Sequence, residues 1–294
     1  MTDSLPVPVT APLTMAQRAQ ILNLIRRAAK TEILPRFRKL SSHQIDTKTG
    51  IHDLVTEADK GAEAMIARAL QTMFPHALIV GEEHASLNPE ILEKIAEAEI
   101  CFTIDPVDGT WNYAKGLPLF GVMLSVLRYG RPVYGLLYDP MVNDFITASA
   151  GGPTELVMPR NLRRTLETTK GGPIEDLVGF APVALVPKDK QAQLAATFPK
   201  FARITSLRCA CHEARMVASG NADFVLFAKM TAWDHPAGAI AIQQAGGHVA
   251  MLDGSDYLVG KEGYLLCASD AATWGRLRDL FDFLLDAPAK PVNA

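Results

Sequence analysis

The chain has 294 residues, 48% of them hydrophobic, and a formal charge of −3 from 29 Lys and Arg against 32 Asp and Glu. This suits a soluble globular protein with a full core and roughly two domains. The dispersed basic residues leave no electrostatic footprint for nucleic acid, so no RNA or DNA partner is expected. Residues Met1 to Leu13 lack the basic and then apolar order of a signal peptide, and no stretch is long enough to span a bilayer. The cytoplasm is the expected compartment, and no membrane is expected as a partner.

In chain order, the periodicity predicts a helix from Met15 to Leu40, with Thr14 and Gln17 as a capping box and Ile21, Leu24, Ile25 and Ala28 on one face. Pro35 should kink or interrupt it. A second helix is predicted over Gly61 to Leu70, and short apolar runs predict strands at Ala77–Val80 and Ile100–Ile104. Phe120–Leu127, Val133–Tyr138 and Asp144–Ala148, separated by turn-like residues, predict an antiparallel meander. Gly151-Gly152-Pro153 marks a composition shift, which gives an N-terminal α+β domain over 1–150 and a C-terminal α/β domain over 151–294. There, a strand at Leu177–Ala184, a helix at Lys188–Phe198, a short edge at Thr205–Leu207, a helix at His212–Ser219 and a strand at Phe224–Phe227 alternate as in an α/β layer. A helix from Ala237 to Ala245 stops at Gly246-Gly247.

The chemistry concentrates in Asp105-Pro106-Val107-Asp108-Gly109-Thr110, which follows the second of those apolar runs. Pro106 fixes its own φ and pushes Asp105 toward an extended conformation, so two carboxylates and the Val107 carbonyl can be aimed at one point. Oxygen ligands of this kind suit Mg²⁺ or Mn²⁺ better than zinc. Three more acidic elements sit at predicted element ends: Gly81-Glu82-Glu83, Trp233-Asp234, and Asp53-Leu54-Val55-Thr56 with Asp59. Each has a plain structural reading. Thr56 with Asp59 resembles a capping box, which leaves Asp59 structural, and Asp234 suits a cap for the helix beginning near Pro236. Cys101, Cys209, Cys211 and Cys267 lack paired zinc spacing, and His212-Glu213 lacks the further histidine of a zinc protease helix, so reduced thiols are expected.

Together, in order and approximate spacing, these motifs resemble the signatures of the inositol monophosphatase-like family, Mg²⁺-dependent and typically lithium-sensitive phosphomonoesterases. The resemblance implies a layered αβαβα sandwich of the inositol monophosphatase and sugar phosphatase type, with the metal site between its two halves. It implies that Glu82, Asp105 and the Val107 carbonyl hold one Mg²⁺, that Asp105, Asp108 and Asp234 hold a second, and that Glu82 also faces a third, looser ion. It pairs Asp53 with the Thr110 hydroxyl to orient the attacking water, and has Gly109 and Thr110 offer backbone N–H groups to the phosphate. Two ions about 3.5–4 Å apart activate water and stabilise the leaving alkoxide in such sites.

The substrate wall departs from the family pattern. The acidic residue that binds ring hydroxyls falls on Phe227, and a small polar Gly-Ser or Gly-Thr pair falls on Arg208-Cys209. A phenyl ring cannot accept hydroxyl bonds. Arg208 has two readings, a receptor for a second phosphate or a carboxylate, and a structural ion pair. The expected partner is a small phosphorylated metabolite, nominally myo-inositol 1-phosphate. Histidinol phosphate, a 3′-phosphoadenosine nucleotide and a sugar bisphosphate are the alternatives, and a catalytically idle scaffold is the non-enzymatic one. Family members are commonly homodimers.

Overall fold

The computed structural model describes residues 13–50 and 53–285, apart from the side chains of Ser42, Lys48, Thr49 and Asp53. Helix α1 (Met15–Ala28) starts at the expected capping box, with the Gln17 N–H donating to Thr14 Oγ1. It ends earlier than the periodicity suggests, widening into a π turn over Ala29–Ile33. Pro35 lacks the N–H that further helix needs and disfavours helical geometry at Leu34. A hairpin of β1 (Ile45–Gly50) and β2 (Asp53–Thr56) runs straight into α2 (Glu57–Met73).

β3 (Leu78–Gly81) leads into α3 (Glu82–Leu87). β4 spans Cys101–Asp108, four residues beyond the predicted end at Ile104, and is followed by the one-turn α4 (Thr110–Ala114). The meander is β5 (Gly121–Arg128), β6 (Arg131–Asp139) and β7 (Asp144–Ser149), continued by β8 (Glu155–Val157) and β9 (Arg163–Thr165). These strands form one seven-stranded sheet in the order β3-β4-β5-β6-β7-β8-β9, parallel at β3–β4 and antiparallel elsewhere. The sheet continues across Gly151–Pro153, which turns the chain from β7 to β8.

The second sheet starts with β10 (Val178–Phe180), shorter than the predicted strand because Pro182 follows. After it come α5 (Lys188–Thr197), β11 (Arg203–Thr205), α6 (Ala210–Ala218), β12 (Phe224–Phe227), α7 (Pro236–Gln244), β13 (His248–Met251), β14 (Leu265–Ala268) and α8 (Ala271–Phe281). The strand order is β11-β10-β12-β14-β13.

Three cores define five layers. Strand alternation sends Phe102, Ile104, Val122 and Leu124 to a core shared with Ile21, Ile25, Ile66 and Leu70 of α1 and α2. Cys101, Met123 and Leu137, on the opposite face, pack on Ala214, Val217, Ile240 and Ile242 of α6 and α7, which also meet Val225 and Phe227. Phe224 and Leu226, the alternate residues of β12, join Leu194, Leu277 and Phe281 of α5 and α8. The result is the layered αβαβα arrangement. The central layer explains why α7 is apolar on nearly every face.

Candidate active site

β4 carries the centre of the site. Its ladder with β5 slips between Asp105, opposite Met123, and Asp108, opposite Gly121. Pro106 has no N–H for a ladder bond, and an irregularity of this kind re-aims side chains within a continuous strand. The Val107 N–H donates to Asp105 Oδ1 at 3.0 Å, which fixes that carboxylate. Gly109 then turns at φ +85°, a left-handed conformation that disfavours side chains, and leads into α4. An added Cβ there would lie 3.1 Å from the Leu119 carbonyl and 3.2 Å from the Cys209 Cβ.

Thr110 Oγ1 lies 3.2 Å from Asp59 Oδ1 and 2.9 Å from the Val107 carbonyl. Asp59, in the first turn of α2, is thus one carboxylate beside this hydroxyl; the side chain of Asp53, at the start of β2, lies outside the described residues. The capping box is real as well. Asp59 Oδ2 accepts from the Thr56 N–H at 2.8 Å and from its hydroxyl at 2.5 Å, so one oxygen caps the helix and the other faces Thr110. The capping reading of Asp59 stands, and the second bond ties it to Thr110 as well.

Glu82 opens α3, held by a residue the motifs did not single out. Glu63, one turn beyond Asp59 on α2, accepts from the Glu83 N–H at 2.7 Å and the His84 N–H at 2.8 Å. Burial raises the Glu63 pKa against these donors. Its spacing of four from Asp59 was the available signal, since both fall on one helical face. Asp234 precedes α7, and its backbone N–H donates to Thr231 Oγ1 at 3.3 Å. It does not cap α7: the N-cap is His235, without a side-chain cap bond.

Asp108 points toward the start of α6. Its Oδ2 accepts from the Cys211 N–H at 2.5 Å and the Cys209 thiol at 3.0 Å. Burial first, then Asp234, pushes the Asp108 pKa up to about 7 against these donors. Asp105 is buried at 3% exposure, and burial together with Glu82, Asp108, Asp234 and Asp59 holds its pKa well above the usual carboxylate range. Three further segments, those of Asp59, Glu82 and Asp234, thus come near Asp105 of β4.

A divalent cation fits this donor set. The ligands are carboxylate oxygens, and each further negative charge penalises ionised Asp105 in a way that a cation would offset. Among the described residues no three His, Cys, Asp or Glu side chains are already closed to ligating geometry. The carboxylates influence Asp105 electrostatically without meeting at one point.

Of the residues expected at the substrate wall, Cys209 and Phe227 are buried, and the Phe227 ring packs tilted against His235, centroids 4.5 Å apart. Arg208 makes no ion pair among the described residues, contrary to its structural reading, and its guanidinium lies over the Trp111 ring at 4.1 Å. Cavities of about 330 Å³ beside Arg38 and Gly116 and about 550 Å³ beside Lys200 and Arg276 have none of the carboxylates in their walls. The chemistry lies outside both.

Fold and site together define a layered α/β protein with a carboxylate-rich centre next to a glycine-threonine turn. The profile of the Inositol monophosphatase family matches residues 15–281, and the chain belongs to that family. It is similar to Nus factor SuhB of Vibrio cholerae, 31% identical over 72% of this chain and 77% of that protein. A Thermotoga maritima protein named fructose-1,6-bisphosphatase/inositol-1-monophosphatase is 29% identical over the same shares. An IMPase structure from Thermotoga maritima shares the fold at TM-score 0.76 and 21% identity, covering 92% of this chain and 98% of that one. A staphylococcal IMPase complexed with products gives TM-score 0.76 at 18% identity, over 92% and 96%.

Proposed function

We propose that this chain hydrolyses a small phosphate monoester with Mg²⁺, two or three ions, held by Glu82, Asp105, the Val107 carbonyl, Asp108 and Asp234. The observation that carries this reading is that Glu82, Asp108, Asp234 and Asp59 all lie near enough to buried Asp105 to oppose its ionisation, beside Gly109 and Thr110. Bound cations supply positive charge for the phosphoryl group and acidify water. The chain's own groups do the rest. Gly109 and Thr110 present backbone N–H groups to the phosphate oxygens. The Thr110 hydroxyl, its proton directed to Asp59 Oδ1 or the Val107 carbonyl, offers lone pairs to the incoming water, and the proton passes to Asp53, as in the family pattern, or to Asp59, whose Oδ1 lies 3.2 Å from that hydroxyl.

myo-Inositol 1-phosphate is the nominal substrate, as the family suggests. The test is phosphate release from inositol 1-phosphate, histidinol phosphate, fructose 1,6-bisphosphate and 3′-phosphoadenosine 5′-phosphate, with and without Mg²⁺. Turnover that needs Mg²⁺ and is lost in Asp105→Asn supports the reading. Turnover indifferent to both would defeat it. Lithium inhibition and a homodimer belong to the same reading, checked by assay in LiCl and by light scattering. A second reading follows from relatives named Nus factors: the chain serves as a factor of that kind, and Asp105→Asn would leave that role intact.

A further inference from the structure

Arg208 stands in the left-handed region, at φ +54°, a conformation unfavourable for a residue with a side chain. Its surroundings hold it there. Glu213 Oε1 accepts from the Leu207 N–H at 2.7 Å and the Ser206 hydroxyl at 3.1 Å, and the Arg208 N–H donates to Ser206 Oγ at 3.2 Å. From the other side, the Asn112 amide of α4 donates to the Leu207 carbonyl at 2.9 Å and to the Arg208 carbonyl at 3.4 Å. The loop is thereby tied to the helix that begins at Thr110. Cys209, the next residue, packs against Gly109, with its Sγ 3.3 Å from where a Cβ would sit.

The side chain is exposed, yet placed. Its guanidinium covers the Trp111 ring at 4.1 Å and has no carboxylate partner among the described residues. Stacking uses the face of a guanidinium and leaves the N–H groups free around its edge, which is the arrangement that binds a planar or tetrahedral oxyanion through two donors. Cys209 Sγ lies 3.0 Å from Asp108 Oδ2 and packs against Gly109, so the backbone that carries Arg208 adjoins the proposed phosphoryl position. Phe227 meanwhile gives a polyhydroxylated ring nothing to bond.

We propose that Arg208 receives a second oxyanion of the substrate, a carboxylate or a second phosphate, beside the phosphoryl group to be cleaved. The inference rests on the phosphatase reading of the same site. It makes Arg208 a specificity-determining residue, with Asn112, Trp111 and Glu213 as its positioning residues.

Three matched probes test it with Mg²⁺ present: 3-hydroxypropyl phosphate, 3-(phosphonooxy)propanoate and propane-1,3-diyl bisphosphate. The wild type should show kcat/KM about tenfold or more higher for an anion-ended probe than for the hydroxyl-ended one, chiefly through KM. Arg208→Gly, which suits the left-handed backbone, and Arg208→Ala should bring that ratio close to one, and Arg208→Lys should restore part of it. Whichever anion gives the larger wild-type ratio identifies the group. A wild-type ratio near one, or a ratio unchanged in Arg208→Gly, would overturn the proposal. If the wild type releases phosphate from none of the three, calorimetric binding of 3-(phosphonooxy)propanoate decides instead. Binding weakened about tenfold in Arg208→Gly upholds the arm while the phosphatase reading fails, and equal binding overturns the arm too.

Discussion

Asp59 makes its contacts on two oxygens, which explains how a correct capping-box reading left its bond to Thr110 unseen. A carboxylate has lone pairs to spare, so a helix cap and a bond to Thr110 are compatible. Asp59→Asn should lower kcat about 100-fold or more, as expected for loss of a positioned proton acceptor. A steady-state assay at fixed Mg²⁺ checks this, and Asp53→Asn provides the comparison. Asp105 and Asp108 were legible from their spacing after an apolar run. The bond between Thr110 and Asp59 was not, because sequence spacing cannot show that a helix-capping aspartate also reaches a hydroxyl about fifty positions later. The stacking of Arg208 on Trp111 joins two motifs far apart in the chain and was equally hidden.

At the scale of elements, strand existence followed from apolar runs, whereas strand ends did not. β4 continues through Pro106 because β5 supplies a partner on either side of the irregularity. Glu63 shows how one helix positions another: it satisfies two N–H groups at the start of α3 and so holds Glu82 in place. Glu63→Ala should cost about 2–3 kcal/mol in urea denaturation, since those donors lose their acceptor, and should weaken Mg²⁺ binding. Asp270 caps α8 through the Thr273 N–H at 2.8 Å. Burial opposes its ionisation, but the Thr273 and Ala272 donors outweigh that and hold its pKa below the ordinary 3.8. A depressed folded pKa contributes stability that is present above the unfolded value and lost as pH falls through the folded value. Asp270→Ala should therefore cost about 1 kcal/mol near neutral pH, typical of a lost cap, with its melting curve merging into the wild type's in acid.

For the whole molecule, the three cores hold the acidic segments in place against their mutual repulsion. α7 approaches β6 so closely at Gly135 that an added Cβ would fall 2.6 Å from Ile240 Cγ2 and 2.7 Å from the Ala237 carbonyl. Gly135→Val should push α7 off the sheet, displace Asp234 and destabilise the fold by about 1–3 kcal/mol, as overpacking does. Thermal melts with and without Mg²⁺ would show both effects. Cation binding should stabilise the wild type by about 2.7 kcal/mol at a hundredfold excess over Kd. Asp108→Asn should remove most of that gain.

The most direct test of the central claim is phosphate release by the wild type and Asp105→Asn across a Mg²⁺ titration, with each protein's folding verified by circular dichroism. The account predicts hydrolysis that rises with Mg²⁺ and saturates in the wild type, and almost none in a folded Asp105→Asn. Equal rates in the two proteins, or a wild-type rate that ignores Mg²⁺, would contradict it.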